Sequence, residues 1–201
     1  MLQLVLTKME FTPGIAAIIV LLVSSKLIET KEYLSLKQTW TYELKSVETY
    51  SENSDLLKFT NWKVDRISRG VFAVSGSFIL NMDIVEGDDN KVEFKMYRSE
   101  NGVKEYKPLS FGVQRQHLYK YMNTFYKDLI MESLSKCSNL PVFEDKYEPP
   151  LQQMTYTLNK CQIDQEGFPQ YIQDGFYKTV INGFGPTNWS VISILEIQNN
   201  K

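Results

Sequence analysis

Histidine occurs once in these 201 residues, as His117. Any Ser–His–Asp triad or imidazole acid–base scheme would have to pass through that side chain, and no Asp or serine motif accompanies it. The chain contains no G-x-S-x-G elbow, no G-x-G-x-x-G, no P-loop and no H-E-x-x-H. Its two cysteines and lone histidine fall short of the four ligands of a structural zinc site. Glu86, Asp88 and Asp89 fall around a Gly87–Asn90 turn that lacks the spaced ligands and terminal Glu of a calcium loop. No Lys/Arg cluster stands out and the net charge is only −2, so the electrostatic footprint of a nucleic-acid binder is missing. Neither an enzyme nor a metal, cofactor or nucleic-acid partner is therefore expected. Repeats, low-complexity tracts and Gly/Ser linkers are absent too, which predicts one domain.

Long apolar runs are also scarce. One stands out, Ile15–Val23, and it is well short of the roughly 20 residues of a spanning helix. Its length suits the apolar region of a secretory signal peptide, with Val23 and Ser25 as the small residues before a cut after Ser25. The basic flank is weak, because Lys8 is offset by Glu10. Residues 1–25 are read as a signal peptide and 26–201 as the secreted, extracellular domain, with no membrane span. A buried core helix or an uncleaved anchor is the competing reading. Outside the cytosol Cys137 and Cys161 would pair, the alternative being two separate buried thiols. Asn188-Trp189-Ser190 then becomes a glycosylation sequon with Asn188 as acceptor.

What the chain does have is aromatic and alternating. Tyr and Phe number 12 and 11, and aromatics make up 13% of the residues, which favours strands and large apolar surfaces. Trp40, Tyr42 and Leu44 alternate within 39–50, and 58–67 carries Phe59, Trp62, Val64 and Ile67 up to a turn at Arg69-Gly70. In 71–85, Phe72, Val74, Phe78, Leu80, Met82 and Ile84 share one face; Val92, Phe94 and Met96 return on the same pattern, which predicts a β-hairpin. After the Asn101-Gly102 turn and Pro108, the period changes. Leu118, Met122, Phe125 and Leu129 recur at helical spacing within 116–136, an amphipathic helix. An extended loop follows, bounded by Leu140-Pro141 and Pro149-Pro150. Met154, Tyr156 and Leu158 alternate again, and two last strands are expected at 175–182 and 189–197. The predicted fold is mainly β: a two-layer antiparallel β-sandwich or β-cup with one inserted helix.

The inward positions collect large apolar side chains. Trp40, Tyr42, Trp62, Phe72, Phe78, Met82, Phe94, Met96, Phe125, Tyr156, Phe176 and Trp189 are the candidates to line a cavity for an apolar ligand. The same residues would equally fill an ordinary core, and periodicity does not separate the two.

Some segments resemble a known family. Gly167-Phe168-Pro169, Asp174-Gly175-Phe176-Tyr177-Lys178 and Trp189-Ser190-Val191-Ile192 resemble the C-terminal half of the insect chemosensory CheB proteins. Phe59-Thr60-Asn61-Trp62-Lys63-Val64 and Gly70-Val71-Phe72-Ala73-Val74-Ser75-Gly76 resemble that family's N-terminal strands. The likeness runs from about Tyr42 to Ile197. It implies kinship with ganglioside-activator and ML-type lipid-recognition proteins, which hold a lipid between sheets. For this chain it implies a lipid or cuticular-hydrocarbon pheromone as ligand and a role in taste or pheromone perception. An extracellular accessory protein that docks on a sensory receptor or channel, carrying no ligand, is the alternative. Ganglioside activators carry several disulfides, whereas this chain can form only one.

Overall fold

The structure, a computed structural model, describes residues 39–200 except 88, 104 and 166–167. The expected signal peptide 1–25, Asp88 of the acidic turn and Gly167 of the family-like segment lie outside the described residues.

Among the described residues there are eight strands and one helical segment. The strands are β1 (Trp40–Ser51), β2 (Leu57–Ser68), β3 (Val71–Leu80), β4 (Lys91–Ser99), β5 (Lys107–His117), β6 (Thr155–Cys161), β7 (Gly175–Phe184) and β8 (Trp189–Asn199). Between β5 and β6, three consecutive stretches, Leu118–Tyr121, Met122–Ile130 and Met131–Ser135, together form α1, and the middle one is π-helical. A five-stranded sheet in the order β1-β8-β7-β4-β5 packs against a three-stranded sheet in the order β2-β3-β6. Every strand pairing is antiparallel. The mainly-β sandwich with one inserted helix is thus the observed architecture.

Alternating residues chose these elements, because a strand with one apolar face must bury it against a second layer. Two sequence expectations need correction. The segments 71–85 and 92–96 do not form a hairpin: β3 pairs with β2 and β6, whereas β4 pairs with β5 and β7 in the other sheet. Alternation names the face a strand buries and not the strand beside it. Here both sheets bury toward the same interior, so β3 and β4 carry the same pattern. The second correction is β5, which the sequence leaves as the approach to a helix. It is a sheet-edge strand, exposed along most of its length, and therefore lacks the alternation that marks a strand.

The fully buried residues fall into three clusters, bridged by the half-buried Met96, Leu140, Leu151 and Trp189. Val92, Phe94, Tyr121, Met122, Tyr126 and Leu134 belong to one cluster between the five-stranded sheet and α1. Trp40, Tyr177 and Ile197 make a second, and Leu57, Leu80 and Tyr156 a third. Members of all three clusters border one space between the sheets. Among the described residues, no helix is long and apolar enough to cross a membrane.

Candidate functional site

A cavity of about 420 Å³ lies between the sheets and is closed on one side by α1. Bulges shape its walls. In β1 the pairing with β8 slips between Leu44 and Ser46, which reverses the alternation and brings Leu44 and then Val47 to the cavity. In β2 the register slips between Thr60 and Lys63, with Asn61 at φ 56°, so Phe59 and Trp62 both face inward. Their rings meet edge to face at 5.8 Å.

Two tryptophans lie on glycines. A β-carbon on Gly76 would come within 2.7 Å of the Trp62 indole, and one on Gly183 within 1.9 Å of the Trp189 indole. Only a residue without a side chain lets each ring lie flat against its sheet. The polar tips of several wall aromatics are tied to backbone. Trp62 donates from Nε1 to the Ser77 carbonyl at 2.8 Å, and Trp40 donates to that of Pro169 at 2.8 Å. The Tyr42 hydroxyl donates to the Ile163 carbonyl at 2.9 Å and accepts from the Ile163 amide at 3.0 Å. These bonds satisfy the donors and leave the ring faces as apolar wall.

The helical wall is built from Leu118, Tyr121, Met122, Phe125, Tyr126 and Ile130. Phe125 packs on Phe94 of β4 with ring centroids 4.8 Å apart, which joins α1 to the five-stranded sheet. The Tyr126 hydroxyl donates to the Pro141 carbonyl at 2.8 Å. Asn123 holds the following loop by accepting the Tyr147 amide at 2.7 Å. Burial pushes the phenols of Tyr121 and Tyr126 well above the ordinary tyrosine value. Tyr121 is only 6% exposed, and its hydroxyl has no hydrogen-bond partner among the described residues.

Ten of the twelve candidate residues stand together around this space: Trp40, Tyr42, Trp62, Phe72, Phe78, Met82, Phe94, Met96, Phe125 and Trp189. Two do not reach it. Tyr156 is buried behind Phe78, the rings stacked at 4.8 Å. Phe176 takes the opposite face of β7 from the cavity-lining Thr179 and Ile181, and its ring packs under Gly102 of the β4–β5 turn. Val47 is not marked in the sequence, because no residue pattern announces the bulge before it. Nor are Tyr121, Thr179 and Ser193, whose hydroxyls look like surface chemistry. The three-residue spacing of Phe59 and Trp62 was the one available sign of a bulge in β2.

Cys137 and Cys161 are bonded to each other, tying the segment after α1 to the end of β6. Asn188 is exposed in the β7–β8 turn and donates to Glu52 Oε2 at 2.7 Å. His117 ends β5, exposed, with Nδ1 3.4 Å from the Gly87 carbonyl oxygen. Among the described residues no group of three or more His, Cys, Asp or Glu is placed to hold a metal ion.

Residues 92–179 match a family model described as a protein of unknown function (DUF1091). The matched stretch runs from β4 through α1 and β6 into β7, and so takes in both cysteines and the Phe94–Phe125 contact. No curated protein matches the chain.

Proposed function

We propose that the protein is a secreted carrier or presenter of an apolar ligand, held between its two sheets. The observation that carries this reading is the cavity of about 420 Å³, bordered by members of all three buried clusters. Its volume falls in the range of about 300–1,000 Å³ usual for small-molecule sites, and its wall is overwhelmingly aromatic and aliphatic, as those sites are. The disulfide accords with an oxidising compartment. The resemblance of the β2, β3, β7 and β8 segments to insect CheB proteins supports a lipid or cuticular-hydrocarbon pheromone as the ligand, and taste or pheromone perception as the setting.

An accessory protein that docks on a sensory receptor or channel without a ligand would have no need of a hollow core. The cavity therefore weighs against that alternative. Native mass spectrometry of the protein purified from its source, with displacement of a fluorescent fatty-acid probe, tests the proposal. Bound lipid and probe displacement are the expected results. Consistent absence of bound lipid, with no uptake of the probe, overturns it.

A further inference from the structure

Asn90, Lys91, Asp164 and Thr187 also line the cavity, but across the middle of the five-stranded sheet its wall is apolar except along one row. Strand register aligns Val47 of β1, Ser193 of β8, Thr179 of β7 and Met96 of β4 across the five-stranded sheet. The neighbouring rows are apolar where they line the cavity: Val191, Ile181 and Phe94 on one side, Leu195 and Leu44 on the other. Two hydroxyls thus sit side by side in the middle of a greasy surface, on two central strands. Serine and threonine facing each other across strands commonly bond to one another. Here neither hydroxyl has a hydrogen-bond partner among the described residues, and both residues line the cavity.

A hydroxyl facing an apolar space without a partner is unfavourable, and a ligand oxygen placed there would relieve the cost. The row carries no charge, so it matches a neutral oxygen and not a carboxylate or ammonium. Its position is informative as well. Ser193 is the middle one of the cavity-lining β8 residues Trp189, Val191, Ser193, Leu195 and Ile197. At about 3.3 Å per residue, about 13 Å of apolar wall extends along the strand on either side.

We propose that Thr179 and Ser193 recognise a neutral oxygen, as an ester, ketone or alcohol, set within the chain of an otherwise aliphatic ligand. This names the ligand class of the carrier function proposed above and rests on it. The whole chain is titrated with a long linear alkane, a ketone of the same length with its oxygen at mid-chain, and the matching methyl ketone, each displacing a fluorescent fatty-acid probe. The mid-chain ketone is expected to bind about tenfold tighter than the alkane, and the methyl ketone no better than the alkane.

The double substitution Thr179→Val with Ser193→Ala keeps shape, and is expected to remove the preference, so that alkane and mid-chain ketone displace the probe equally well. Ser193→Ala alone, should the double variant not fold, lowers the preference by about threefold. Equal binding of alkane and mid-chain ketone by the unsubstituted protein overturns this assignment and leaves the carrier function standing. Binding of none of the three overturns both. A preference that survives both substitutions but disappears in Tyr121→Phe moves the polar contact to α1 and also overturns the assignment.

Discussion

Trp189 lies against Gly183 so closely that a β-carbon would stand 1.9 Å from its indole, well inside any allowed contact. The two residues face each other across β7 and β8, so backbone movement would tear the sheet pairing; the ring has to leave instead. Gly183→Ala is therefore expected to destabilise the protein by about 1–3 kcal/mol, the usual cost of overpacking. Chemical denaturation followed by circular dichroism measures it. The cost belongs to the pair: in a Trp189→Ala background the same substitution is expected to cost less than about 0.5 kcal/mol. A full cost in both backgrounds would show that Gly183 is needed for some reason other than the indole. A glycine inside a strand pattern is a sequence-level sign of close approach, and Gly76 and Gly183 both carry it. Which ring approaches cannot be read from the glycine, because the partner comes from the strand paired with it.

At the level of elements, the disulfide reinforces a seam between the segment after α1 and β6, where the Asn159 amide donates to the Cys137 carbonyl at 2.9 Å and Asn139 accepts the Thr157 amide at 2.7 Å. Cys137 follows the last turn of α1, Cys161 ends β6, and 24 positions of chain separate them. Between them runs a loop with little regular structure, anchored by isolated bridges of Ser138 to Leu158 and Leu151 to Ile84. Closing a loop of that length stabilises by about 3 kcal/mol in the chain-entropy model. Replacing both cysteines by serine is expected to remove that amount, read as a lower denaturation midpoint with a steeper slope, because the unfolded chain expands once its cross-link is gone. Amide exchange should quicken most in α1 and the loop, and least in the β7–β8 pair, whose neighbours on both sides remain. Uniform acceleration throughout would contradict this division.

The same elements show what the sequence could announce. β1, β2, β6, β7, β8 and α1 were legible because each turns several apolar side chains to the interior, even where a bulge breaks the alternation in β1 and β2. β5 was not, because both of its faces are largely exposed; Leu109 and Phe111 are each 38% exposed. The pairing of β3 was misread because two sheets facing one cavity write the same alternation twice. The π-helical middle of α1 left no trace in residue type, since Met122, Phe125 and Tyr126 would equally suit an α-helical stripe.

For the whole molecule the deciding quantity is whether the interior is filled, and alternation is silent on that: an inward tryptophan reads the same against another side chain or against empty space. The three-dimensional signature is the space between the sheets, and the buried phenols of the helical side carry a consequence in alkaline solution. Tyr121 and Tyr126 on α1 and Tyr147 in the following loop are all nearly fully buried. Burial disfavours their phenolates, and the Tyr147 phenol is pushed up to about 12. Unfolded tyrosines ionise near pH 10. Between those values the unfolded chain binds fewer protons than the folded one, so stability is whole below about pH 10 and falls as pH rises toward 12. Phenolate absorbance followed beside circular dichroism should show these tyrosines ionising together with loss of structure, after the exposed ones have titrated. Tyr121 also borders the cavity. A bound ligand favours the folded state by mass action, so saturation with an apolar ligand should move the alkaline transition to higher pH. A transition that ligand does not move, at concentrations that displace the fluorescent probe, would mean that the probe binds somewhere other than between the sheets.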